Sequence, residues 1–97
     1  MCLINLNFYL HLFLLNFFKS VFFIGIAGTG MSALAQYLNG TGKKVTGSDR
    51  YFKDGEENQT RVLLEKEGIQ CFPQDGRGIT SELDLVVVST AVEEDVL

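Results

Sequence analysis

Three glycines carry the most chemistry in this chain. Gly25, Gly28 and Gly30 punctuate the stretch Val21-Phe-Phe-Ile-Gly-Ile-Ala-Gly-Thr-Gly-Met-Ser-Ala-Leu-Ala35. A strand-type apolar run enters them, and a helical pattern with Met31, Leu34, Ala35 and Leu38 on one face leaves them. A helix that starts straight out of a glycine turn aims its unpaired N–H groups at whatever occupies the turn, which suits a phosphate. Gly28-Thr-Gly30-Met-Ser-Ala33 also satisfies G-x-G-x-x-G/A. The first glycine permits the turn, the second lets a diphosphate reach backbone, and small Ala33 is expected to allow close helix–strand contact. The competing explanation is a tight strand-to-helix turn with no ligand.

Other candidate groups lie around that loop. Asp49 comes after it, at the tip of the expected second strand, where a carboxylate can accept from ribose hydroxyls. Its alternative is a solvated turn residue that helps to cap the next segment. Ser89 and Thr90 end the expected fourth strand, with hydroxyls suited to a ligand or to capping a helix. Glu93, Glu94 and Asp95 suggest catalysis, but three acids at a helix start read better as complements to the helix dipole. Gly40-Thr-Gly-Lys-Lys44 imitates an ATPase phosphate loop; it has no Ser or Thr after the lysine and runs into a strand, so it is set aside. No nucleophile–base pair and no metal-ligand set is visible, so no catalytic residue and no metal is assigned.

These residues need a frame of alternating strands and helices. Strands are expected at 21–26, 44–47, 69–72 and 85–89, and helices at 31–39 and 60–67. In the second helix Val62, Leu63 and Leu64 are expected inward and an Arg61–Glu65 pair outward. Asp54 and Glu57 have capping-box spacing ahead of it, and Gly68 stops it in the left-handed role. Apolar strands without alternation are buried on both faces, as in a parallel sheet covered by helices. Right-handed crossovers then give an α/β, three-layer Rossmann-like parallel sheet of four strands in the order 3-2-1-4. Its switch point lies between strands 1 and 4, where the loops at 27–32, 48–50 and 89–94 converge.

Composition divides the 97 residues in two. Residues 1–20 hold no acid, one base (Lys19) and four of the eight Phe. Residues 21–97 hold all ten Gly and, with seven bases against twelve acids, carry a net charge of −5. That sign argues against nucleic acid and against an anionic membrane surface. Cys2 and Cys71 are the only cysteines, with no C-x-x-C, which fits a reducing cytoplasm and a small apolar role for Cys71. The apolar run from Leu3 to Phe18 is broken by Asn5, Asn7, His11 and Asn16, too interrupted for a spanning helix. It also lacks the features of a signal peptide. Residues 1–20 are therefore expected to be an apolar extension outside the domain, arising from the choice of start codon or else disordered or packed as a loose helix, with a membrane anchor the least favoured alternative. The far edge of the fourth strand would then invite edge-to-edge pairing, unless this segment covers it.

Taken together the residues resemble the N-terminal domain of the Mur ligases. Phe23-Ile-Gly-Ile-Ala-Gly-Thr-Gly-Met-Ser32 resembles that family's glycine loop. Val45-Thr-Gly-Ser-Asp49 is similar to its second-strand end, and Leu85-Val-Val-Val-Ser-Thr-Ala-Val92 to its fourth strand. The resemblance covers residues 21–97 and is closest to the alanine-adding members. It implies a domain that holds the UDP part of UDP-N-acetylmuramate. Gly28, Thr29, Gly30, Met31 and Ser32 would cradle the diphosphate, Ser48 and Asp49 would lie near the uridine, and Ser89, Thr90 and Ala91 would form the opposite wall. It implies further domains that use ATP and Mg2+ and join L-alanine to the muramoyl carboxylate, and a chain that stops before a fifth strand. One departure is Pro73-Gln-Asp-Gly76, where Gly-His is common in the alanine-adding members. The rival from another class is an NAD(P)-binding domain, with Asp49 on the adenosine ribose.

Overall fold

The computed structural model describes residues 2–5 and 18–88. Within these residues seven elements succeed one another: β1 (Cys2–Asn5), β2 (Ser20–Ile24), α1 (Thr29–Gly40), β3 (Lys44–Asp49), α2 (Gln59–Lys66), β4 (Gln70–Pro73) and β5 (Leu85–Val88). The five strands form one sheet in the order β1-β5-β2-β3-β4, and every pairing is parallel. The four strands expected from the sequence take the expected order, and the glycine loop leaves the carboxyl end of the central strand β2.

Register sorts side chains between the two faces. Val21 and Phe23 of β2 join Val45, Leu85 and Val87 on one face, against Met31, Ala35 and Leu38 of α1 and Leu64 of α2. Phe22, Val86 and Val88 form the core of the other face, beneath Ile24, Phe72, Ile79 and Leu83. The rings of Phe22 and Phe72 stack there at 6.2 Å. Among the described residues, the chain between β4 and β5 covers that second face and both helices lie on the first.

Three local expectations change. The N-terminal strand β1 was not anticipated: Cys2–Asn5 pairs along the outer side of β5, where an open edge was expected. Helix α2 opens later than the capping box implied. Asn58 is its N-cap, accepting from Arg61 N–H at 3.0 Å, while Asp54 faces Arg77 across the loops. Within α2 only Leu64 is buried; Val62 and Leu63 are exposed, because three successive helical positions spread over about 200° and cannot share one face. The Arg61–Glu65 pair forms at 3.5 Å, and Gly68 takes φ +93° behind the helix as expected. Arg61 also donates to Cys71 O at 3.1 Å.

The start of β2 is fastened to the start of β5 by Asp84. Its Oδ2 accepts from the N–H groups of Lys19 at 2.8 Å and Ser20 at 3.1 Å, and Asp84 N–H donates to Ser20 Oγ at 3.1 Å. These backbone donors hold the Asp84 carboxyl below the ordinary carboxylate range.

Candidate functional site

The glycine loop is built by handing its backbone donors to β3. Gly25, at φ +88°, turns the chain out of β2 and donates to Ser48 O at 2.8 Å. Ile26 N–H donates to the same carbonyl at 3.0 Å, and Ala27 N–H donates to Asp49 Oδ2 at 3.0 Å. Gly28 N–H closes back on Gly25 O at 3.2 Å. Helix α1 then starts, and Ser32 N–H makes its first bond, to Gly28 O at 2.7 Å. The helix geometry therefore leaves Thr29, Gly30 and Met31 with the outward N–H groups. Gly28 caps the helix without a side-chain bond, and no acid in the first turn offsets the positive end. Gly28, Thr29 and Gly30 are exposed, and a Cβ placed on Gly30 meets nothing within 4 Å. The Ser32 hydroxyl donates to Thr29 O at 3.1 Å, so it faces the helix backbone with its oxygen still able to accept.

Ser48 and Asp49 sit behind this loop. They are only 3% and 5% exposed. One Asp49 oxygen accepts from Ala27, and the other accepts from Tyr51 N–H at 2.9 Å. Each oxygen keeps one lone-pair direction, but the carboxylate's observed work is to tie the glycine loop to the β3 exit. Ser89, Thr90 and Ala91, along with Glu93, Glu94 and Asp95, lie outside the described residues.

Ala33 departs from expectation. It is exposed, and the close approach between loop and strand happens instead at Gly47, where a Cβ would stand 2.5 Å from Ile26 Cδ1 and 2.9 Å from Phe23 O. Gly47 stood in the sequence only as part of the Val45-Thr-Gly-Ser-Asp49 resemblance, and its packing role was not anticipated; the signal for that role is a glycine inside a strand, which marks a close backbone approach.

Beside the loop, the carboxyl ends of β3 and β4 border an open groove of about 380 Å³, lined by residues that include Arg50, Lys53, Pro73, Gln74, Asp75 and Arg77. Arg77 spans it, reaching Asp75 at 2.7 Å and Asp54 at 3.0 Å. The guanidinium beside it holds the Asp75 carboxyl below its usual range. These pairs are exposed, so they shape the loops more than they stabilise the fold.

The chemistry available is anion binding through backbone N–H groups, with basic side chains nearby. Among the described residues no cluster of His, Cys, Asp and Glu could hold a metal ion, and no helix is long and apolar enough to cross a membrane. The residues of the ATPase-like stretch do not fit a triphosphate. Thr41 and Gly42 form the turn that ends α1, and Lys43 Nζ donates to Phe18 O at 2.7 Å with its ammonium 4.9 Å above the Phe18 ring. The Cys71 thiol is buried and pushed up to about 12, chiefly by that burial, which keeps it protonated and inert.

Comparison with known proteins places these features in a family. The model of the Mur ligase family, catalytic domain, matches residues 20–97. UDP-N-acetylmuramate–L-alanine ligase of Dictyoglomus turgidum is 39% identical over 77 residues, covering 79% of this chain and 16% of that protein. The enzyme of the same name from Streptococcus suis is 44% identical over 70 residues, 70% of this chain and 14% of that protein. That of Campylobacter jejuni is 36% identical over 77 residues, 79% of this chain and 17% of that protein. The chain thus spans about a sixth of the length of these relatives.

Proposed function

The chain belongs to the Mur ligase family, and from that premise we propose that residues 20–97 hold the UDP part of UDP-N-acetylmuramate for an ATP-dependent ligase that adds L-alanine. One observation carries the reading: the outward N–H groups of Thr29, Gly30 and Met31, at a helix end with no acid in its first turn and open space above Gly30. A diphosphate supplies the negative charge and acceptor oxygens this end lacks. The names of the relatives supply the nucleotide sugar and the amino acid.

In this reading Gly28 to Ser32 cradle the diphosphate. Ser48 and Asp49 act from behind, setting the loop so that its free donors converge. The uridine extends along the carboxyl ends of β3 and β4, over the groove beside Arg50 and Gln74. Ser89, Thr90 and Ala91 close the other wall. ATP, Mg2+ and L-alanine would be engaged by parts of a longer protein, as the chain spans only about a sixth of the length of the ligases it matches. The domain contributes substrate grip and orientation.

The test is a titration of the chain with UDP-N-acetylmuramate and, separately, with NAD, monitored by amide NMR. The expected result is that the signals of Gly28 to Ser32 move with the UDP sugar and move less, or not at all, with NAD. Tighter binding of NAD would overturn the ligase reading in favour of a dinucleotide site.

A further inference from the structure

The loop after β4 opens with Pro73-Gln-Asp-Gly76 and continues Arg77-Gly78. It folds into a tight turn: Ile79 N–H donates to Gly76 O at 3.3 Å, with Gly78 third in the turn at φ +89°. The loop after β3 makes a matching turn, in which Glu56 N–H donates to Lys53 O at 3.1 Å and Gly55 is third at φ +80°. A third position with positive φ is where such turns favour glycine. Arg77 and Asp54 are the second residues of the two turns, and Arg77 Nη2 meets Asp54 Oδ2 at 3.0 Å.

Each turn is seated on the core. Gly78 lies against the rings of Phe72 and Phe22, so close that a Cβ would stand 2.6 Å from the first and 3.0 Å from the second. Phe52, two residues before Asp54, is fully buried. Arg77 is itself held by Asp75: its Nε and Nη2 donate to Oδ2 at 3.0 and 2.7 Å, and its own backbone N–H donates to Oδ1 at 3.1 Å. An isolated exposed ion pair is worth little, but a guanidinium fork shared by two carboxylates is the arrangement that fixes geometry.

We propose that Arg77 is a positioning residue for the nucleoside end of the nucleotide sugar: by clamping Asp54 it locks the two turns together and presets the groove between the carboxyl ends of β3 and β4. The proposal rests on the UDP-sugar reading and names what shapes its uridine side. Arg50 and Lys53 border the groove from one loop and Gln74 from the other, so the clamp sets the separation of the side chains that a base would meet. With the clamp open, the ligand has to order the turn at Lys53 to Glu56 itself, and that cost emerges as lost affinity.

Asp54→Asn and Arg77→Gln test the clamp; both residues are exposed, so the urea midpoint should hold. In the ligand-free chain, backbone NMR relaxation should show the amides of Asp54 and Gly55 as ordered as those of β3, and fast motion at both in either variant. By calorimetry the affinity for UDP-N-acetylmuramate should fall about fivefold in each variant. It should fall no further in the double variant, because both changes remove one contact. Saturating ligand should still move the amides of Gly28 to Ser32 as in the parent, and Asp54→Glu, which restores the carboxylate, should bind close to parent affinity. Asp54 and Gly55 amides that are already mobile in the parent overturn the clamp, as do losses that multiply in the double variant or an Asp54→Glu variant as weak as Asp54→Asn. If Arg77→Gln lowers the urea midpoint, Asp54→Asn, which keeps the Asp75–Arg77 pair, decides alone. A parent that binds no UDP-N-acetylmuramate overturns the ligase reading and this role with it; a parent that binds, with variants that bind as tightly, overturns the clamp alone.

Discussion

Gly30 is the residue where absence of a side chain matters most for the proposed binding. A Cβ there meets no protein atom, so Gly30→Val should keep the fold while placing a branched group above the free N–H groups. We expect affinity for UDP-N-acetylmuramate to fall at least tenfold, about 1.4 kcal/mol, by calorimetry, with an unchanged urea midpoint. Unaltered affinity in the folded variant would mean that no diphosphate lies there. The turn that holds this glycine was legible in the sequence because an apolar strand run, spaced glycines and a helical pattern follow one another directly; the phosphate role is what this variant tests. The carboxylate of Asp49 was legible as important and not in its partners: those are backbone amides of Ala27 and Tyr51, and nothing in the residue type says whether a carboxylate faces solvent, sugar or peptide. Ala33 was misplaced for a different reason. Helical periodicity counted from buried Met31 carries the face to Ala35 and Leu38 and turns Ala33 outward.

At the scale of elements, two devices hold β2 in its slot, and each has a test. At the carboxyl end, Gly47 lets β3 lie against the glycine loop. Gly47→Ala drives a methyl into Ile26 and into the carbonyl of Phe23, which is backbone and cannot swing away. The expected cost is about 1–3 kcal/mol, read as a lower urea midpoint, with Gly25 to Gly28 amides shifted. At the amino end, Asp84 clamps Lys19 and Ser20. Its pKa is depressed in the folded state, so its contribution is present above the unfolded value of about 3.9 and is lost as pH falls through the lower folded value. Asp84→Asn should therefore be less stable than the parent at neutral pH, with the difference closing as pH drops below about 4. A difference that stays constant down to acid pH would show that charge plays no part. Strands β2 and β5 were legible because parallel strands buried on both faces read as unbroken apolar runs. The inward face of α2 was not, since Val62, Leu63 and Leu64 are chemically equivalent and only packing against the sheet selects Leu64.

At the scale of the whole molecule, the order of β4, β3, β2 and β5 could be read from handed crossovers, whereas β1 could not. Cys2–Asn5 belongs to a longer apolar stretch with no turn signal to bound a strand, and its partner lies some eighty residues away. The arrangement places β5 between two strands that precede it in the chain. β5 fills the slot beside β2, β1 can add to the sheet only once it has, and the native contacts of β5 should form late. Val87→Ala, at a fully buried position, is expected to cost about 2 kcal/mol and to act mainly by speeding unfolding, with refolding little changed in stopped-flow chevrons. Slower refolding of similar size would put β5 in the nucleus. The same slot sets a clock during synthesis. Strand β2, with fully buried Phe22 and Phe23, leaves the ribosome about sixty residues ahead of the segment that completes its pairing. At roughly 5–20 residues per second this is on the order of 3–12 s. Through that interval a nascent chain displays two adjacent phenylalanines beside a free strand edge, the surface at which association between unfinished chains starts.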